Sequence, residues 1–584
     1  MNEEQLSIIR IVESKVKLQR EISRKSGFSL GKVNRLVAEL QSLGYINKSL
    51  TLTNAGEEFI AEHHPKRAII LAAGYGMRMV PINTEEPKGL LEVNNEALIE
   101  RIIKQLHEVG VGEIHVVVGF MKEHYEYLID QYGVDLIVNP HYENYKNLYS
   151  LYLAKKYLTN SYVIPCDIWF KGNPFSQMED ESWYLFSTQK VNNSRWEVTR
   201  QNKVKRVSRN TKGDRMVGIA YLNQQDGQAL AKALDAAVSN SLMLKQFWEE
   251  TLENDNHFML SGKLIHEGEF SEINSYEQLR DLDCHSNHLQ TAAIKVIERT
   301  LNTDLHGIEH IQVLKKGMTN RSFFFEHDGQ RYIMRIPGEG TGELIDRQKE
   351  FNVYQVLKGA DWTEQILYLN PKNGYKLSAF INGAHNSDPL QWDQVSKCMA
   401  LLRKLHSSKL RVDHDFDLYG QIDFYEHLRA GESAYRDYQQ VKKRVLQLRD
   451  YIDQHVREKV LCHIDANPDN FVFDRDGHLY LIDWEYAGMQ DPDVDIAMFA
   501  IYAMYNRQQI DKLIDTYYQG ECTLEIRYKI YAYVAVCGLL WSNWCEYKQS
   551  LGLDFGVYSL AQYRYAKEYS QLVLDKIGVE NAKN

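Results

Sequence analysis

Two groups of residues in this 584-residue sequence have types and spacings suited to the chemistry of phosphate groups. The first is residues 71–78 (LAAGYGMR), followed by residues 86–88 (EPK). Glycines allow backbone N–H groups to approach a triphosphate, Arg78 adds a planar set of charged donors, and Lys88 can stabilise charge on an α-phosphate under attack. A dinucleotide-binding fingerprint would need a third glycine. The segment therefore predicts nucleotidyl transfer, with Arg78 and Lys88 catalytic and four residues binding the nucleotide: Gly74, Gly76, Arg78 and Lys88.

The second group is His463-x-Asp465 with Asn470 five residues later, followed by Asp483. Asp465 can accept the proton of an alcohol that attacks a γ-phosphate, and Asn470 and Asp483 can hold Mg²⁺. This spacing is uncommon by chance and predicts an ATP-dependent kinase, with Asp465 as the catalytic base. His463 is expected to brace the loop structurally.

Upstream residues provide the phosphate-binding half of such a kinase. Residues 315–322 (KKGMTNRS) fit a loop that covers the phosphates, and Asn320 is its predicted nucleotide-binding residue. Arg335 lies where this class of kinase has its phosphate-pairing cation. Glu350, on the helix that follows, is its expected ion-pair partner.

Length and composition indicate a protein of several domains. A chain of 584 residues is too long for one hydrophobic core, so three or four domains are expected. The net charge of −11 argues against bulk binding of nucleic acid or anionic membranes. No apolar stretch approaches the roughly 20 residues of a membrane helix, and the acidic start lacks the features of a secretory signal. Seven scattered cysteines without a CxxC pair predict reduced thiols in the cytoplasm.

Residues 1–62 have the pattern of a small module. Apolar spacing predicts helices near residues 6–12, at Gln19–Lys25 and at Leu30–Leu43, and residues 44–47 and 49–53 are expected to pair as two strands of a wing. The pattern resembles a winged helix-turn-helix, with the third helix as recognition helix. Its basic residues are suited to DNA phosphates, but acidic residues nearly cancel their charge. A protein–protein or dimerisation role therefore remains equally open, as does the oligomeric state.

The rest of the chain divides into two further predicted domains. Apolar strands alternate with helical stretches from about residue 65 to 290, which predicts a doubly wound parallel sheet. Residues 291–584 begin with strands and a helix and continue mostly as helices, which is the order of a two-lobed kinase-like fold. The predicted class is a multidomain α/β and α+β protein with boundaries at 1–64, 65–290 and 291–584.

Residues 67–285 resemble the bacterial CTP:phosphocholine cytidylyltransferases. The similarity includes residues 87–91 (PKGLL), 139–151 (NPHYENYKNLYSL), 162–167 (YVIPCD) and 194–196 (SRW). The resemblance implies that Asp167 binds Mg²⁺ and that Trp196 packs on the choline ammonium. The family's second metal aspartate falls on Asn274, whose neutral oxygen is a poorer Mg²⁺ ligand than a carboxylate.

Residues 308–575 resemble the bacterial choline kinases of the aminoglycoside-phosphotransferase-like superfamily. The similarity includes residues 335–338 (RIPG), 402–408 (LRKLHSS), the Asp465 motif, 491–497 (DPDVDIA) and 539–544 (LLWSNW). A quaternary ammonium has no hydrogen-bond donor, so aromatic faces and a carboxylate must recognise it. The candidate residues for this pocket are Glu485, Tyr486, Trp541 and Trp544. The alternative for the two tryptophans, three apart on one helix face, is a place in the core.

The two resemblances together predict a bifunctional enzyme. Its C-terminal domain would make phosphocholine from choline and ATP, and its middle domain would join phosphocholine to CTP, giving CDP-choline for surface polymers or lipids. One alternative keeps both reactions but acts on ethanolamine or an aminophosphonate. Another is a ligand-responsive transcription regulator built on residues 1–62, with the Asn274 site as a sensor.

Overall fold

The computed structural model describes residues 3–208, 211–254, 257–314, 320–338, 344–429, 431–551 and 553–581. The chain forms two compact units, Met1–Lys295 and Val296–Asn584. Each unit combines helices with sheets around its own hydrophobic core, so the predicted mixed α/β and α+β class is confirmed.

The first unit contains the winged-helix module and the predicted nucleotidyltransferase fold. Its helices are α1 (Glu3–Glu13), α2 (Gln19–Ser26), α3 (Leu30–Ser42), α4 (Asn54–His63), α5 (Leu98–Glu108), α6 (Tyr127–Tyr132), α7 (Asn147–Leu153), α8 (Gln224–Val238) and α9 (Tyr276–Leu282). Its strands are β1 (Arg67–Ala72), β2 (Glu92–Val93), β3 (Glu96–Ala97), β4 (Glu113–Val118), β5 (Asp135–Val138), β6 (Ser161–Pro165), β7 (Ile168–Phe170), β8 (Trp183–Val191), β9 (Trp196–Val198), β10 (Val204–Arg206), β11 (Gly213–Leu222), β12 (Glu253–Asn254), β13 (His257–Phe258), β14 (Ser261–Ile265) and β15 (Phe270–Glu272).

The three predicted helices of the winged-helix module are present, but the predicted two-stranded wing is not. A single bridge between Ile46 and Leu52 stands in its place. The side-chain oxygen of Asn47 accepts hydrogen bonds from the N–H groups of Ser49 and Thr51, at 2.9 and 3.1 Å, and closes a tight turn instead of a ladder. Thr53 then caps the N-terminus of α4.

A seven-stranded sheet, ordered β14-β8-β11-β6-β1-β4-β5, forms the centre of the nucleotidyltransferase fold. Strand β1 pairs in parallel with β4 and β6, and apolar cores cover both faces of the sheet. The apolar run of β1 is buried from Ala68 to Ala72, as expected of a central parallel strand. Since β1 and β6 are parallel, the loops after Ala72 and Pro165 leave the same edge of the sheet. Ligands of open α/β sheets bind at this edge.

The second unit has the predicted two-lobed order of strands and helices. After α10 (Ala292–Leu301), which crosses the boundary between the units, its strands are β16 (Glu309–Val313), β17 (Asn320–His327), β18 (Gln330–Pro337), β19 (Ile366–Leu369), β20 (Lys376–Ala379), β21 (His385–Asn386), β22 (Val460–Cys462), β23 (Phe471–Phe473), β24 (Leu479–Leu481) and β25 (Gly488–Gln490). Its helices are α11 (Arg347–Val356), α12 (Trp392–His406), α13 (Leu418–Arg429), α14 (Tyr438–Gln447), α15 (Arg449–His455), α16 (Asp493–Tyr502), α17 (Arg507–Tyr518), α18 (Leu524–Ser550) and α19 (Val557–Asn581).

A five-stranded antiparallel sheet, ordered β16-β17-β18-β20-β19, and helix α11 form the first lobe of this unit. The second lobe is largely helical, and it includes the β23–β24 hairpin. None of the described helices has both the length and the apolar character needed to cross a membrane.

Candidate active sites

The loops at the edge of the seven-stranded sheet open into a cleft of about 1110 Å³. Gly74, Gly76, Arg78 and Lys88 all line this cleft, as predicted from their spacing. Gly76 has a φ of 62°, in the left-handed region that glycine adopts without strain, and it turns the chain into the short helix that carries Arg78.

Asp167 and Asn274 are brought together although they are far apart in the sequence. Strand β15 pairs antiparallel with β7, and the N–H of Ile273 donates to the carbonyl of Asp167 at 2.9 Å. Asn274 follows directly. The side chain of Lys88 then joins the two, forming an ion pair with Asp167 and donating to Asn274 Oδ1 at 2.8 Å.

The amide of Asn274 uses both of its ends in this cluster. Its oxygen accepts from Lys88 and from Arg78, the latter at 2.9 Å, while its nitrogen donates to Glu272. Glu272 also pairs with Arg215. A carboxylate at position 274 cannot donate to Glu272, so an asparagine suits this arrangement of charges. Sequence reasoning missed Glu272, although it lies in the same strand end.

Another part of the cleft wall is aromatic and acidic. Tyr184, Phe247 and Glu249 line it, and the hydroxyl of Tyr184 donates to Glu249 Oε1 at 3.1 Å. Glu249 Oε2 is shielded from solvent and has no hydrogen-bond partner among the described residues. Burial raises the pKa of this carboxyl to about 7. Nothing in the local sequence pattern marks Glu249, because its burial depends on β8.

Trp196, the predicted choline-binding residue of this domain, lies in the core. It is 2 % exposed, its ring centroid is 5.2 Å from that of Phe258, and its Nε1 donates to Glu253 at 3.3 Å. It is absent from the wall of the cleft, so the prediction that it contacts the ammonium is wrong in this structure. The cause is the pairing of β9 with β10, which turns the indole into the sheet's apolar face.

In the second unit, Asp465 and Asn470 meet directly. Asn470 Nδ2 donates to the Asp465 carboxylate at 2.9 Å and to its backbone carbonyl at 2.9 Å, which leaves the amide oxygen of Asn470 available. The hairpin formed by β23 and β24 returns the chain so that the N–H of Ile482 donates to the carbonyl of Asn470 at 3.0 Å. Asp483 follows, with a φ of 67°. Burial raises the pKa of Asp465, and the hydrogen bond from Tyr502 opposes that rise.

The loop that carries Asp465 is held by a buried carboxylate. Asp495 accepts from the backbone N–H groups of His463 and Ile464 at 2.8 and 2.7 Å, and from His406 at 3.0 Å. Ile464 has a φ of 67°, a strained value for a β-branched residue. His463 Nε2 donates to the carbonyl of Ile482 at 2.9 Å and so spans the two halves of the loop.

Arg335 and Glu350 form the predicted ion pair. Two contacts of 2.5 and 2.8 Å join them, and both residues are buried. Burial alone would raise the pKa of Glu350, but Arg335 lowers it to about 2. Arg335 also lies 3.9 Å from Asp483, which places a fixed cation beside the predicted metal ligand. Residues 315–319 and the side chain of Asn320 lie outside the described residues.

Glu485, predicted to bind the substrate ammonium, instead points toward the basic residues. Its carboxylate lies 3.3 Å from Arg347 and 3.9 Å from Arg335. Burial and the neighbouring Asp483 raise its pKa. These contacts hold Glu485 with the phosphate-side cations, so the sequence-based role does not fit this geometry. Sequence reasoning missed Arg347, which lies outside the motif segments of the kinase resemblance.

The other three predicted pocket residues belong to an aromatic cluster next to Asp465. We define this cluster as Tyr486, Tyr502, Trp541, Trp544 and Tyr558. The ring of Trp541 lies 6.0 Å from Tyr486, 5.6 Å from Tyr502 and 5.4 Å from Trp544, and Tyr502 lies 6.5 Å from Tyr558. The hydroxyl of Tyr502 donates to Asp465.

Trp541 and Trp544 are each 5 % exposed, so they take part in the core as well as in the cluster. Sequence reasoning missed Tyr502 and Tyr558. Their helical spacing is that of ordinary core residues.

Comparisons with known proteins agree with this organisation. Residues 6–73 match the model of the wHTH-PRTase associated family, residues 68–176 the MobA-like NTP transferase domain, and residues 310–533 the phosphotransferase enzyme family. Protein LicA of Haemophilus influenzae is 27% identical over 255 residues, covering 42% of this chain and 95% of that protein. A crystal structure of the choline kinase LicA from Streptococcus pneumoniae is 28% identical, with a TM-score of 0.42, and the match covers 47% of this chain and 98% of that chain.

The three family models confirm the predicted fusion of a winged-helix module, a nucleotidyltransferase and a kinase, and with it an enzyme that combines the two transferase activities. The choline-phosphate cytidylyltransferase of Streptococcus pneumoniae is 31% identical over 225 residues, covering 37% of this chain and 97% of that protein. Through its nucleotidyltransferase domain, the chain belongs to the family of the choline-phosphate cytidylyltransferases.

Proposed function

We propose that this protein makes CDP-choline in two steps, with choline, ATP and CTP as substrates. The kinase unit phosphorylates choline, and the nucleotidyltransferase unit joins phosphocholine to the cytidylyl group of CTP. The observation that carries the proposal is the hydrogen bond from Tyr502 to Asp465, which sets a catalytic base against an aromatic cluster. Because both nucleotides are cytoplasmic metabolites, we place the enzyme in the cytoplasm.

In the kinase step, Asp465 accepts the proton of the choline hydroxyl as its oxygen attacks the γ-phosphorus of ATP. The bond from that phosphorus to the β-phosphate oxygen breaks, and ADP leaves. A carboxyl with a raised pKa is a stronger base than an ordinary one, which suits proton transfer from an alcohol. Arg335, held by Glu350, offsets charge on the phosphates.

The aromatic cluster supplies what a trimethylammonium group requires. This group has no N–H to donate, so ring faces stabilise it through cation–π contacts. Since Tyr502 bonds to Asp465, an ammonium resting on this cluster would have its hydroxyl arm directed at the base. The cluster thus explains both recognition and orientation.

In the second step, an oxygen of phosphocholine attacks the α-phosphorus of CTP and pyrophosphate leaves. The Gly74–Gly76 loop offers backbone N–H groups to the triphosphate, and Arg78 and Lys88 offset its charge. Glu249 also lines the cleft, and one of its oxygens has no hydrogen-bond partner among the described residues, so a cationic head group bound beside it would balance its charge.

Both sites have a donor set that fits Mg²⁺. The candidate ligands are oxygen atoms: Asp167, Glu272 and the amide oxygen of Asn274 in the first unit, and Asn470 and Asp483 in the second. A carboxylate is a stronger Mg²⁺ ligand than a neutral amide oxygen, so in the first unit we assign the second metal ligand to Glu272 ahead of Asn274. Bound Mg²⁺ would neutralise phosphate charge in each reaction.

Product analysis of the purified full-length chain tests this function. With choline, ATP, CTP and Mg²⁺, the wild type should form CDP-choline. Asp465→Asn should stop at free choline, and Asp167→Asn should accumulate phosphocholine. Asp476→Asn and Asp130→Asn, which alter exposed carboxylates away from both sites, serve as matched controls. Absence of CDP-choline with the wild type would refute the proposal, and a higher kcat/KM for ethanolamine than for choline would reassign the amine.

A further inference from the structure

A short segment of the nucleotidyltransferase fold is inserted into the winged-helix module. The side chain of Met178 is 2 % exposed and belongs to the hydrophobic core of the module. Its carbonyl accepts from Arg10 of α1 at 2.6 Å, and the carbonyl of Gln177 accepts from His64 Nδ1 at 2.8 Å. Apolar packing and two hydrogen bonds therefore hold the module to residues 177–178.

The next residue, Glu179, connects this contact to the central sheet. Its backbone N–H donates to the carbonyl of His63 at the end of α4, at 2.9 Å. Its carboxylate accepts from the hydroxyl of Tyr162 at 2.7 Å and from Nε1 of Trp183 at 2.8 Å. Glu179 is 8 % exposed, Tyr162 is fully buried and Trp183 is 5 % exposed, so water cannot readily replace these bonds.

The two donors belong to the strands that build the cleft. Tyr162 lies in β6, and Asp167 follows the end of that strand. Trp183 begins β8, and the adjacent Tyr184 lines the cleft and donates to Glu249. One carboxylate therefore binds both the strand that leads to Asp167 and the strand that carries Tyr184.

We propose that Glu179 is a positioning residue for cytidylyl transfer, which couples the docking of the winged-helix module to the placement of strands β6 and β8. The inference rests on the proposed cytidylyltransferase activity. It assigns the module a role within this enzyme unit: seated on Met178, it holds Glu179 so that its carboxylate meets both donors. Displacing the module should thus lower cytidylyl transfer even though no residue of the module that the structure describes lies in the wall of the cleft.

Two substitutions at position 179 distinguish a role in positioning the strands from a role in filling space. A glutamine can accept from Trp183 through its oxygen and donate from its amide nitrogen to the hydroxyl of Tyr162. The hydroxyl hydrogen, which points to the carboxylate in the wild type, can then turn to the carbonyl of Ser176, 3.2 Å away. An alanine leaves the indole N–H buried without an acceptor. Glu179→Gln should therefore keep most of the activity that Glu179→Ala loses.

The test uses the full-length chain and measures both activities of each variant. Glu179→Ala should lower the kcat of cytidylyl transfer by about ten- to a hundred-fold with a smaller change in KM for CTP, because misplaced reacting groups reduce turnover. Met178→Asp, which puts a charge into the core of the module, should do the same with the Glu179 carboxylate intact. Glu179→Gln and the exposed control Glu181→Ala should stay within about threefold of wild type. The kinase kcat should not change in any variant.

Hydrogen exchange supplies a measurement that does not depend on the reaction. In Glu179→Ala and Met178→Asp, the backbone amides of residues 161–164 should exchange about tenfold faster than in wild type. Unchanged exchange there, unchanged cytidylyl transfer, or an equal fall in both activities would overturn the inference. Wild-type protein that makes no CDP-choline would instead refute the proposed function, and the exchange result would still decide whether the module is coupled to β6.

Discussion

The carboxyl of Glu249 offers a direct test of how the cleft binds a cationic acceptor. Its pKa of about 7 means that, in the free enzyme, a substantial fraction is protonated at neutral pH. A bound quaternary ammonium stabilises only the ionised form. Affinity for phosphocholine should therefore rise with pH through the neutral range and level off above it, and Glu249→Gln should remove this dependence.

The size of the effect follows from the shift in pKa. A rise in the pKa of Glu249 from 4.5 to about 7 corresponds to a free-energy cost of ionisation of about 3 kcal/mol. This figure is an upper value because part of the side chain is exposed. If phosphocholine binds only the ionised form, its apparent dissociation constant should be about tenfold higher at pH 6 than at pH 8. The effect of pH on folding stability has the opposite sign to its effect on affinity. A raised carboxyl pKa favours the folded state at low pH, and this contribution is lost as pH rises from about 4.5 to 7.

The assay is the KM for phosphocholine at saturating CTP, measured from pH 6 to pH 8.5 for wild type and Glu249→Gln. The phosphate group of the substrate titrates in the same range, but it does so equally for both proteins, so the ratio of their KM values isolates the carboxyl. Thermal unfolding of the same samples checks the stability term: the variant should be the more stable protein at pH 8. A pH-independent ratio of KM values would refute the assignment of Glu249 to the ammonium.

Three further predictions concern the kinase unit. Asp465→Asn should lower its kcat by about 10²- to 10⁴-fold, measured as ADP release, while cytidylyl transfer from supplied phosphocholine is unchanged; a loss below fivefold would argue against a base at this position. Because the Tyr502 hydrogen bond lowers the pKa of Asp465, Tyr502→Phe should move the acid limb of the kinase pH–rate profile to higher pH, and a shift to lower pH would contradict this sign. Glu350→Ala leaves Arg335 buried beside only more distant carboxylates and should cost about 3–5 kcal/mol in unfolding free energy of this unit, with Glu350→Gln costing less; chemical denaturation measures both.

Local motifs were sufficient to predict which residues lie together at each candidate phosphate site. Short spacing along the chain places Gly76 and Arg78 in one loop, and Asp465 and Asn470 in another, whatever the rest of the fold does. The Arg335–Glu350 pair was predictable for a similar reason, because a strand and the next helix must pack together in this kind of lobe. The structure shows each of these groups where its pattern indicated.

The residues proposed to bind the ammonium groups of the substrates were harder to predict. An aromatic ring and a carboxylate both suit an ammonium, which is why Trp196 and Glu485 were predicted to bind it. Strand pairing buries Trp196, however, and Glu485 lies beside the cationic side chains of Arg347 and Arg335. Conversely, Glu249 and Tyr502 carry no local signal, since their position depends on contacts with distant strands and loops. The prediction of a two-stranded wing was wrong for a local reason. The side-chain oxygen of Asn47 accepts hydrogen bonds from two backbone N–H groups and closes a turn where a strand pair was expected.

The presence of two compact units on one chain has a consequence for the balance between the two reactions. Translation delivers the two catalysts in equal numbers, so a cell cannot alter their ratio by changing the expression of one. Any balance between phosphocholine formed and phosphocholine consumed must be set by the kinetic constants themselves. If turnover by the kinase exceeds that of the nucleotidyltransferase, phosphocholine accumulates, and a change in expression alters how fast it accumulates but not the ratio of the two maximal rates.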